Sequence, residues 1–427
     1  VASLTVAGTV QVPGDKSISH RALILAALAD GESVIRDVLV AEDTASTTYA
    51  LCVLGNDAPP LGPEMRIHGT GVRQLQAPES ALDCGNSGTT VRLLAGVVAG
   101  HPFSATFIGD DSLSRRPMRR ISEPLTAMGA TISFDNGDGL PMTVQGGDLK
   151  HIVWTTEVAS AQVKSAILLA GLVAGVPVSV REPRPSRDHT ERMLRALGAK
   201  ITSSREGVTK FAPGAPLEAF DMVVPGDASS AAFFIALAAL AARGSITLPG
   251  VCVDRTRTGF LRALRRMGAT IKVSDKEEAA GEERGTVTAS AGELRAIVVK
   301  ESEIPAMIDE LPLLACVAAR AEGETVVHGA GELRVKESDR IASIVDNLRA
   351  LGGDAVLASD NPTPPAFVER AKALGLQAAG TYGFPTMARA SDGQGGASKL
   401  VALKAVEAGY PLRGRLQTSV TAEGAGE

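Results

Sequence analysis

Along this chain, apolar stretches of helical length repeatedly close on one phrase, Leu-x-x-(Leu/Met)-Gly, usually followed by a small residue and a strand-like run. The copies are Leu51–Gly55, Leu125–Gly129, Leu194–Gly198, Leu264–Gly268 and Leu348–Gly352, with glycine-to-glycine spacings of 74, 69, 70 and 84. A glycine just past a helix end adopts the left-handed conformation that other residues reach only at a cost. Beyond it, Ala130-Thr131-Ile132-Ser133-Phe134, Ala199-Lys200-Ile201-Thr202 and Ala269-Thr270-Ile271-Lys272-Val273 alternate or carry β-branched residues, which predicts strands. Five recurrences at near-constant spacing predict a repeated α+β unit of about 70 residues. Each unit would bury a helix against a small sheet, and several would share a core.

The most apolar stretches do not predict membrane spans. Ala231–Ala242 is too short, and Ala166–Val180 is broken by Gly171, Gly175 and Pro177. The N-terminal VASLTVAGTVQVPGDK lacks the basic region and apolar core of a signal peptide. At 427 residues, two domains are expected. Aromatic residues at 3% and a net charge of −5 argue against a nucleic-acid binder. Cys52, Cys84, Cys252 and Cys316 lie far apart with no CxxC pair or neighbouring His cluster. Reduced, mostly buried thiols in a cytosolic protein are therefore expected, without zinc or disulfides.

Several segments concentrate anion-binding chemistry. In Val12-Pro13-Gly14-Asp15-Lys16-Ser17-Ile18-Ser19-His20-Arg21, two cations and a hydroxyl precede a helix read over Ala22–Ala29. A helix N-terminus with Lys as point charge and Arg as planar fork suits carboxylate and phosphate. The segment is not a P-loop, and a solvated basic turn is an equal alternative. Asp83-Cys84-Gly85-Asn86-Ser87-Gly88-Thr89-Thr90-Val91-Arg92 repeats the layout before a helix over Leu93–Val98, with a simple N-cap as its bland alternative. Arg115, Arg116, Arg119 and Arg120 crowd around Pro117, either as a solvated face or with one guanidinium aimed. Ser160, Gln162 and Lys164 fall on the first turn of an apolar helix, and Pro185-Ser186-Arg187-Asp188-His189 opens another. His189, with no second His nearby, reads as a packing or capping residue. Asp309 precedes a further apolar helix, and Arg334-Val335-Lys336-Glu337-Ser338-Asp339-Arg340 packs both signs together. Such carboxylates beside cations can do acid–base chemistry, or form a surface salt-bridge network.

Together and in this order, PGDKSISHRA, DCGNSGTTVRLL, RRPM, VASAQVKSAILLAGL, PSRDHTERML, PGDASSAAFF, IDELPLLA and ELRVKESDRI resemble the EPSP synthases, with a class II-like subtype. The resemblance implies an α+β (α/β) fold of two lobes built from repeated units. Residues 1–15 and 228–355 would form one lobe and 16–227 the other, with 356–427 an atypical C-terminal segment. It implies transfer of the enolpyruvyl group of phosphoenolpyruvate to the 5-hydroxyl of shikimate-3-phosphate, by addition and elimination, with phosphate released. Lys16, Asp309 and Glu337 would be catalytic, Asp309 as base on the hydroxyl and Glu337 with Lys16 for proton transfer at the enol carbon. Lys16, Ser17, Arg21, Ser160, Gln162, Ser186, Arg187, Asp309 and Lys336 would hold shikimate-3-phosphate. Lys16, Gly88, Arg116, Gln162 and Arg340 would hold phosphoenolpyruvate. No metal or other cofactor is implied, nor a nucleic-acid or membrane partner, and a cytoplasmic monomer is expected. Gly88 is the small residue that the family associates with glyphosate sensitivity.

After Val356 the family's Gly-Asp-His-Arg-Ile-Ala-type motif and its C-terminal lysine are not legible, so the sixth unit reads as replaced. A Pro-rich junction leads into residues of about 357–415, which resemble the extracytoplasmic segment of an FtsX-like ABC-transporter permease. Two alternatives stay open: a UDP-N-acetylglucosamine enolpyruvyl transferase, and a non-catalytic binder of shikimate-3-phosphate.

Overall fold

The helix–glycine–strand phrases closing at Gly129, Gly198 and Gly268 become the second halves of small β-α-β-α-β-β units, and the one closing at Gly55 belongs to a shorter β-α-β-α-β unit. The computed structural model describes residues 4–135, 137–335 and 338–350, and the strands at 381–389 and 398–406. The first unit runs β1 (Thr5–Thr9), α1 (Lys16–Leu28), β2 (Asp30–Arg36), α2 (Glu42–Val53) and β3 (Glu64–Thr70). The second is β4 (Leu82–Asp83), α3 (Gly88–Ala99), β5 (Ser104–Ile108), the short α4 (Asp111–Ser114), α5 (Arg119–Met128), β6 (Thr131–Phe134) and β7 (Met142–Gln145). The third is β8 (Ile152–Thr155), α6 (Ala161–Ala174), β9 (Val178–Arg181), α7 (His189–Ala196), β10 (Lys200–Ser203) and β11 (Val208–Ala212). The fourth is β12 (Asp221–Val223), α8 (Ala228–Leu240), β13 (Arg243–Cys252), α9 (Gly259–Met267), β14 (Thr270–Ala279) and β15 (Glu282–Ser290). Then come β16 (Val298–Val299), α10 (Leu311–Ala318), β17 (Val326–Val327) and α11 (Arg340–Ala350). By contact density the chain divides at Asp354/Ala355. In the second part, β18 (Thr381–Arg389) and β19 (Ser398–Val406) pair antiparallel.

The units share one pairing scheme. In β4-β5-β7-β6 and β8-β9-β11-β10 the first pair is parallel and the other two are antiparallel. Gly55, Gly129, Gly198 and Gly268, the phrase-closing glycines, all have positive φ, as the helix-end reading expects. Gly352 lies outside the described residues. The third sheet of this type, β1-β13-β15-β14, takes its first strand from the N-terminus. In return β12, which directly precedes α8, pairs parallel with β2 of the first unit. The first and fourth units have thus exchanged their opening strands.

The exchange makes the chain cross itself at two Pro-Gly-Asp turns. Asp15 N–H donates to Pro225 O at 2.7 Å, and Asp227 N–H donates to Pro13 O at 2.8 Å. Each aspartate then caps the helix after it, Asp15 accepting from Ile18 N–H and Asp227 from Ser230 N–H. Arg257, buried, donates to Asp15 at 3.0 Å and lies 3.5 Å from Asp227. Burial opposes ionisation of Asp15, but Arg257 and the Ile18 N–H outweigh it and hold the carboxyl at about 2.

On either side of this crossing lies a hydrophobic core. One gathers Ile18 to Val224 with Cys252, and the other Val6, Val12 and residues from Ala231 to Leu333. Helices α1, α3 and α6 are enclosed on nearly all sides in the first core, and beyond their polar openings their sequences are apolar all round. By contrast α9 is amphipathic, burying Phe260, Leu261, Leu264 and Met267 and exposing Arg262, Arg265 and Arg266. Among the described residues no helix is long and apolar enough to cross a membrane. Cys84 and Cys252 are buried, but Cys52 and Cys316 are exposed, which corrects the expectation of mostly buried thiols.

The Asp15–Arg257 pair sets a pH dependence. Because the folded pKa is depressed below the ordinary 3.8, the stabilisation is complete above that value and is lost as pH falls toward about 2. Asp15→Asn keeps a capping oxygen but breaks a buried pair, an expected loss of about 3–5 kcal/mol at neutral pH. In urea titrations the gap between wild type and variant should narrow from pH 5 to about pH 3; a constant gap would contradict this account.

Candidate active site

The N-termini of four helices in the first core are joined by side-chain hydrogen bonds into one polar surface. Lys16, at the start of α1, places Nζ 3.2 Å from Asp43 Oδ2 on the first turn of α2. The Asp43 carbonyl accepts from Thr90 Oγ1 on α3 at 3.3 Å. Gln162 Nε2, on the first turn of α6, donates to Thr89 Oγ1 at 3.0 Å. Arg92 closes the arrangement, donating from Nη1 to Gly88 O at 3.1 Å and to Gln162 Oε1 at 3.2 Å. Aligned peptide dipoles and free N–H groups at such termini favour anions.

Gly88 leaves room for the tip of the Arg92 side chain. A Cβ on it would lie 2.5 Å from Arg92 Nη1 and 3.4 Å from Arg116 Nη1. Burial, and then the charges of Arg116 and Arg120, push Arg92 down to about 10. Arg116 Nη2 donates to Asn86 Oδ1 at 2.6 Å and Ser112 Oγ at 3.3 Å, while its buried Nε has no partner among the described residues. One guanidinium of the arginine run is therefore aimed. Of the others, Arg120 pairs with Glu332 at 3.0 Å and Arg119 lies 3.8 Å from Asp138.

A second group lies along α1, α6 and α7. Arg21 is buried and donates to Thr190 Oγ1 at 2.7 Å, Ser17 O at 2.8 Å and Ser165 Oγ at 2.9 Å. Ser160 caps α6. Ser186 is buried, and its Oγ has no partner among the described residues. Next to it, Arg187 pairs with Asp309 Oδ2, and Arg340 Nη1 reaches Asp309 Oδ1 at 3.1 Å. Asp309 thus draws together an arginine from the first core and one from α11. Burial would raise its pKa, but Arg187 first, then Arg257 and Arg340, hold it well below the usual carboxylate range.

The residues singled out from sequence thus fall into several hydrogen-bonded groups: Lys16 and Gln162 across α1, α2, α3 and α6, Arg21 with Thr190 and Ser165, Arg116 with Asn86, and Arg187 and Arg340 on Asp309. Lys336 and Glu337 lie outside the described residues. The first helix begins at Lys16 rather than Ala22 and α3 at Gly88 rather than Leu93, so both motifs are helical. Lys164 is sealed between Glu182 and Glu191 at 2.8 Å each. His189, buried at the start of α7 as the packing reading expects, bonds through Nδ1 to Glu282 at 2.9 Å and joins α7 to β15. Arg92, Glu182 and Arg257 were not singled out. Arg92 stood inside a recognised motif, but Glu182 and Arg257 carried no local signal. Among the described residues no group of His, Cys, Asp or Glu could hold a metal ion.

The comparisons with known proteins agree on one family. The model of the family described as EPSP synthase (3-phosphoshikimate 1-carboxyvinyltransferase) matches residues 2–375. A 3-phosphoshikimate 1-carboxyvinyltransferase of Xanthomonas campestris pv. campestris (strain B100) is 49% identical over 347 residues, covering 81% of this chain and 79% of that protein. One from Desulfitobacterium hafniense (strain Y51) is 46% identical over 385 residues, 90% of this chain and 87% of that protein. The solved EPSP synthase from Acinetobacter baumannii superposes with a TM-score of 0.75 at 41% identity, covering 83% of this chain and 80% of that one. The family match continues past residue 355 into the stretch read as permease-like, and that second resemblance is not borne out. Apart from the strands β18 and β19, that stretch lies outside the described residues.

The packing of α3 on α6 is what brings Arg92 to Gln162. A Cβ on Gly96 would lie 2.2 Å from the Ala166 carbonyl oxygen. Alanine at a helical position gains about 1 kcal/mol in propensity, but here two packed backbones must separate. Gly96→Ala should lose about 1–3 kcal/mol net, seen as a lower urea midpoint with an unchanged slope.

Proposed function

The chain belongs to the EPSP synthase family, and we propose that the assembly around Asp309 is where it carries out that family's enolpyruvyl transfer. The reaction is that of a 3-phosphoshikimate 1-carboxyvinyltransferase: the 5-hydroxyl of shikimate-3-phosphate adds to phosphoenolpyruvate, and inorganic phosphate leaves. The observation that carries the site reading is the double pairing of Asp309 with Arg187 and Arg340.

In this reading Ser17, Arg21, Ser160, Ser186, Arg187 and Lys336 receive shikimate-3-phosphate, while Gly88, Arg116 and Arg340 receive phosphoenolpyruvate. Lys16 and Gln162 stand between them and serve both. The two anionic substrates compete with Asp309 for its arginines. As Arg187 turns to one anion and Arg340 to the other, Asp309 loses the charges that depress its pKa and becomes a stronger base. It takes the proton of the 5-hydroxyl as that oxygen bonds to C2 of phosphoenolpyruvate. Lys16 or Glu337 protonates C3, giving a tetrahedral intermediate. Loss of a proton from that methyl and departure of phosphate restore the enol ether. The helix N-termini and Arg92 offset the negative charge that accumulates. The two cores, with residues 1–15 and 228–355 forming one and 16–227 the other, act as lobes. The protein works on small anions as a cytoplasmic monomer.

Purified protein given both substrates should release phosphate, and Asp309→Ala should slow that release by about 10²–10⁴-fold. Release that ignores shikimate-3-phosphate, or that follows UDP-N-acetylglucosamine instead, would overturn the assignment. Saturable binding of shikimate-3-phosphate without turnover would leave a binding protein.

A further inference from the structure

Behind the proposed shikimate-3-phosphate face lies a buried charge cluster with an unequal division of labour. Lys164 Nζ sits 2.8 Å from Glu182 Oε2 and 2.8 Å from Glu191 Oε1, and all three residues are at most 2% exposed. Burial opposes the Lys164 charge, but Glu191 and Glu182 outweigh it and raise its pKa. As partners of Lys164 the two glutamates are alike. They differ in what else they hold.

Glu182, just after β9, accepts the backbone N–H of Ser160 at 2.9 Å on Oε1 and that of Ser186 at 3.4 Å on Oε2. One carboxylate therefore ties the loop before α6 to the loop before α7. Those are the two loops whose serines and Arg187 face the ligand in the reading above. Among the described residues Glu191 has only Thr209 Oγ1 as a further partner, at 3.4 Å, and its Oε2 has none.

We propose that Glu182 is a positioning residue for shikimate-3-phosphate, setting Ser160 and Ser186 at the spacing the ligand requires; this rests on the assignment of those serines made above. Three donors converge on the Glu182 carboxylate: two backbone N–H groups and the Lys164 ammonium. A carboxamide in its place has one acceptor oxygen and must turn an NH2 toward at least one of them. At 191 the same change is tolerated, since Oε1 can still face Lys164 and the NH2 takes the place of an oxygen without a donor. Both variants remove one of the two charges beside Lys164. Only Glu182→Gln disturbs the loops.

The test compares Glu182→Gln and Glu191→Gln in the full chain, with shikimate-3-phosphate binding read by calorimetry and both KM values by phosphate release. Glu182→Gln should weaken shikimate-3-phosphate binding on the order of tenfold. Its KM for phosphoenolpyruvate should stay within about twofold, and Glu191→Gln should bind as wild type does. Amide exchange at Ser160 and Ser186 should quicken in Glu182→Gln alone. Equal weakening in both variants would make the effect one of charge at Lys164 and overturn the inference. So would unchanged binding in Glu182→Gln. A wild type that binds no shikimate-3-phosphate would instead overturn the ligand assignment, and the inference with it. If Glu182→Gln does not fold, Glu182→Asp decides. The shorter carboxylate keeps its charge but cannot reach both loops, so weakened binding supports the inference and wild-type binding overturns it.

Discussion

Arg257 lies 3.0 Å from Asp15 and 3.5 Å from Asp227, at the point where the chain passes twice between its two cores. That crossing sets the start of α1 and reaches toward Asp309. Asp15 caps α1 and so aims the helix that begins with Lys16. Asp227 also accepts from the Lys16 backbone N–H at 3.2 Å, so both carboxylates hold the first turn of α1. Arg257 donates to Ser229 Oγ at 3.0 Å, and Ser229 in turn bonds to Glu310, the neighbour of Asp309. A buried ion pair is poor evidence for stability in general, because desolvation offsets the attraction. Its use here is geometric: two exchanged strands and two helix starts are brought into one register.

Away from the crossing the two cores meet through polar contacts. The β14–β15 hairpin reaches α7, where Glu282 bonds to His189 and the Gly281 carbonyl accepts from Arg192 at 3.2 Å. Nearer the site, Arg187–Asp309, Arg184–Glu301 and Arg120–Glu332 pair residues of the first core with residues of the second. The two more exposed pairs, Arg184–Glu301 and Arg120–Glu332, contribute little each and weaken with salt. In the proposed reaction they lie where anionic substrates would exchange partners with the protein.

The two halves of the site are held by different means. At Gly88 the constraint is space, since the absent side chain lets two guanidinium groups approach the first turn of α3. At Ser160 and Ser186 it is a shared buried carboxylate. The first kind is visible in sequence, because a glycine within Gly-Asn-Ser-Gly-Thr-Thr marks close backbone approach. The second is not, because Glu182 in Val-Arg-Glu-Pro reads as any surface acid.

What the sequence determined by itself was local. Helix ends, their glycines and the strands after them depend on neighbouring residues, so the recurring unit could be read along the chain. The motif residues at helix starts were legible for the same reason. The tertiary structure decided which strands exchanged and which charges were buried together. Asp15 finds Arg257 across 242 positions, and Arg21 finds Thr190 across 169. Lys164 stood in a motif beside Ser160 and Gln162, and only the packing of α6 against α7 and β9 turned it inward. A pairing of that kind is set by three-dimensional proximity and the need to neutralise a buried charge, and neither leaves a pattern along a single sequence.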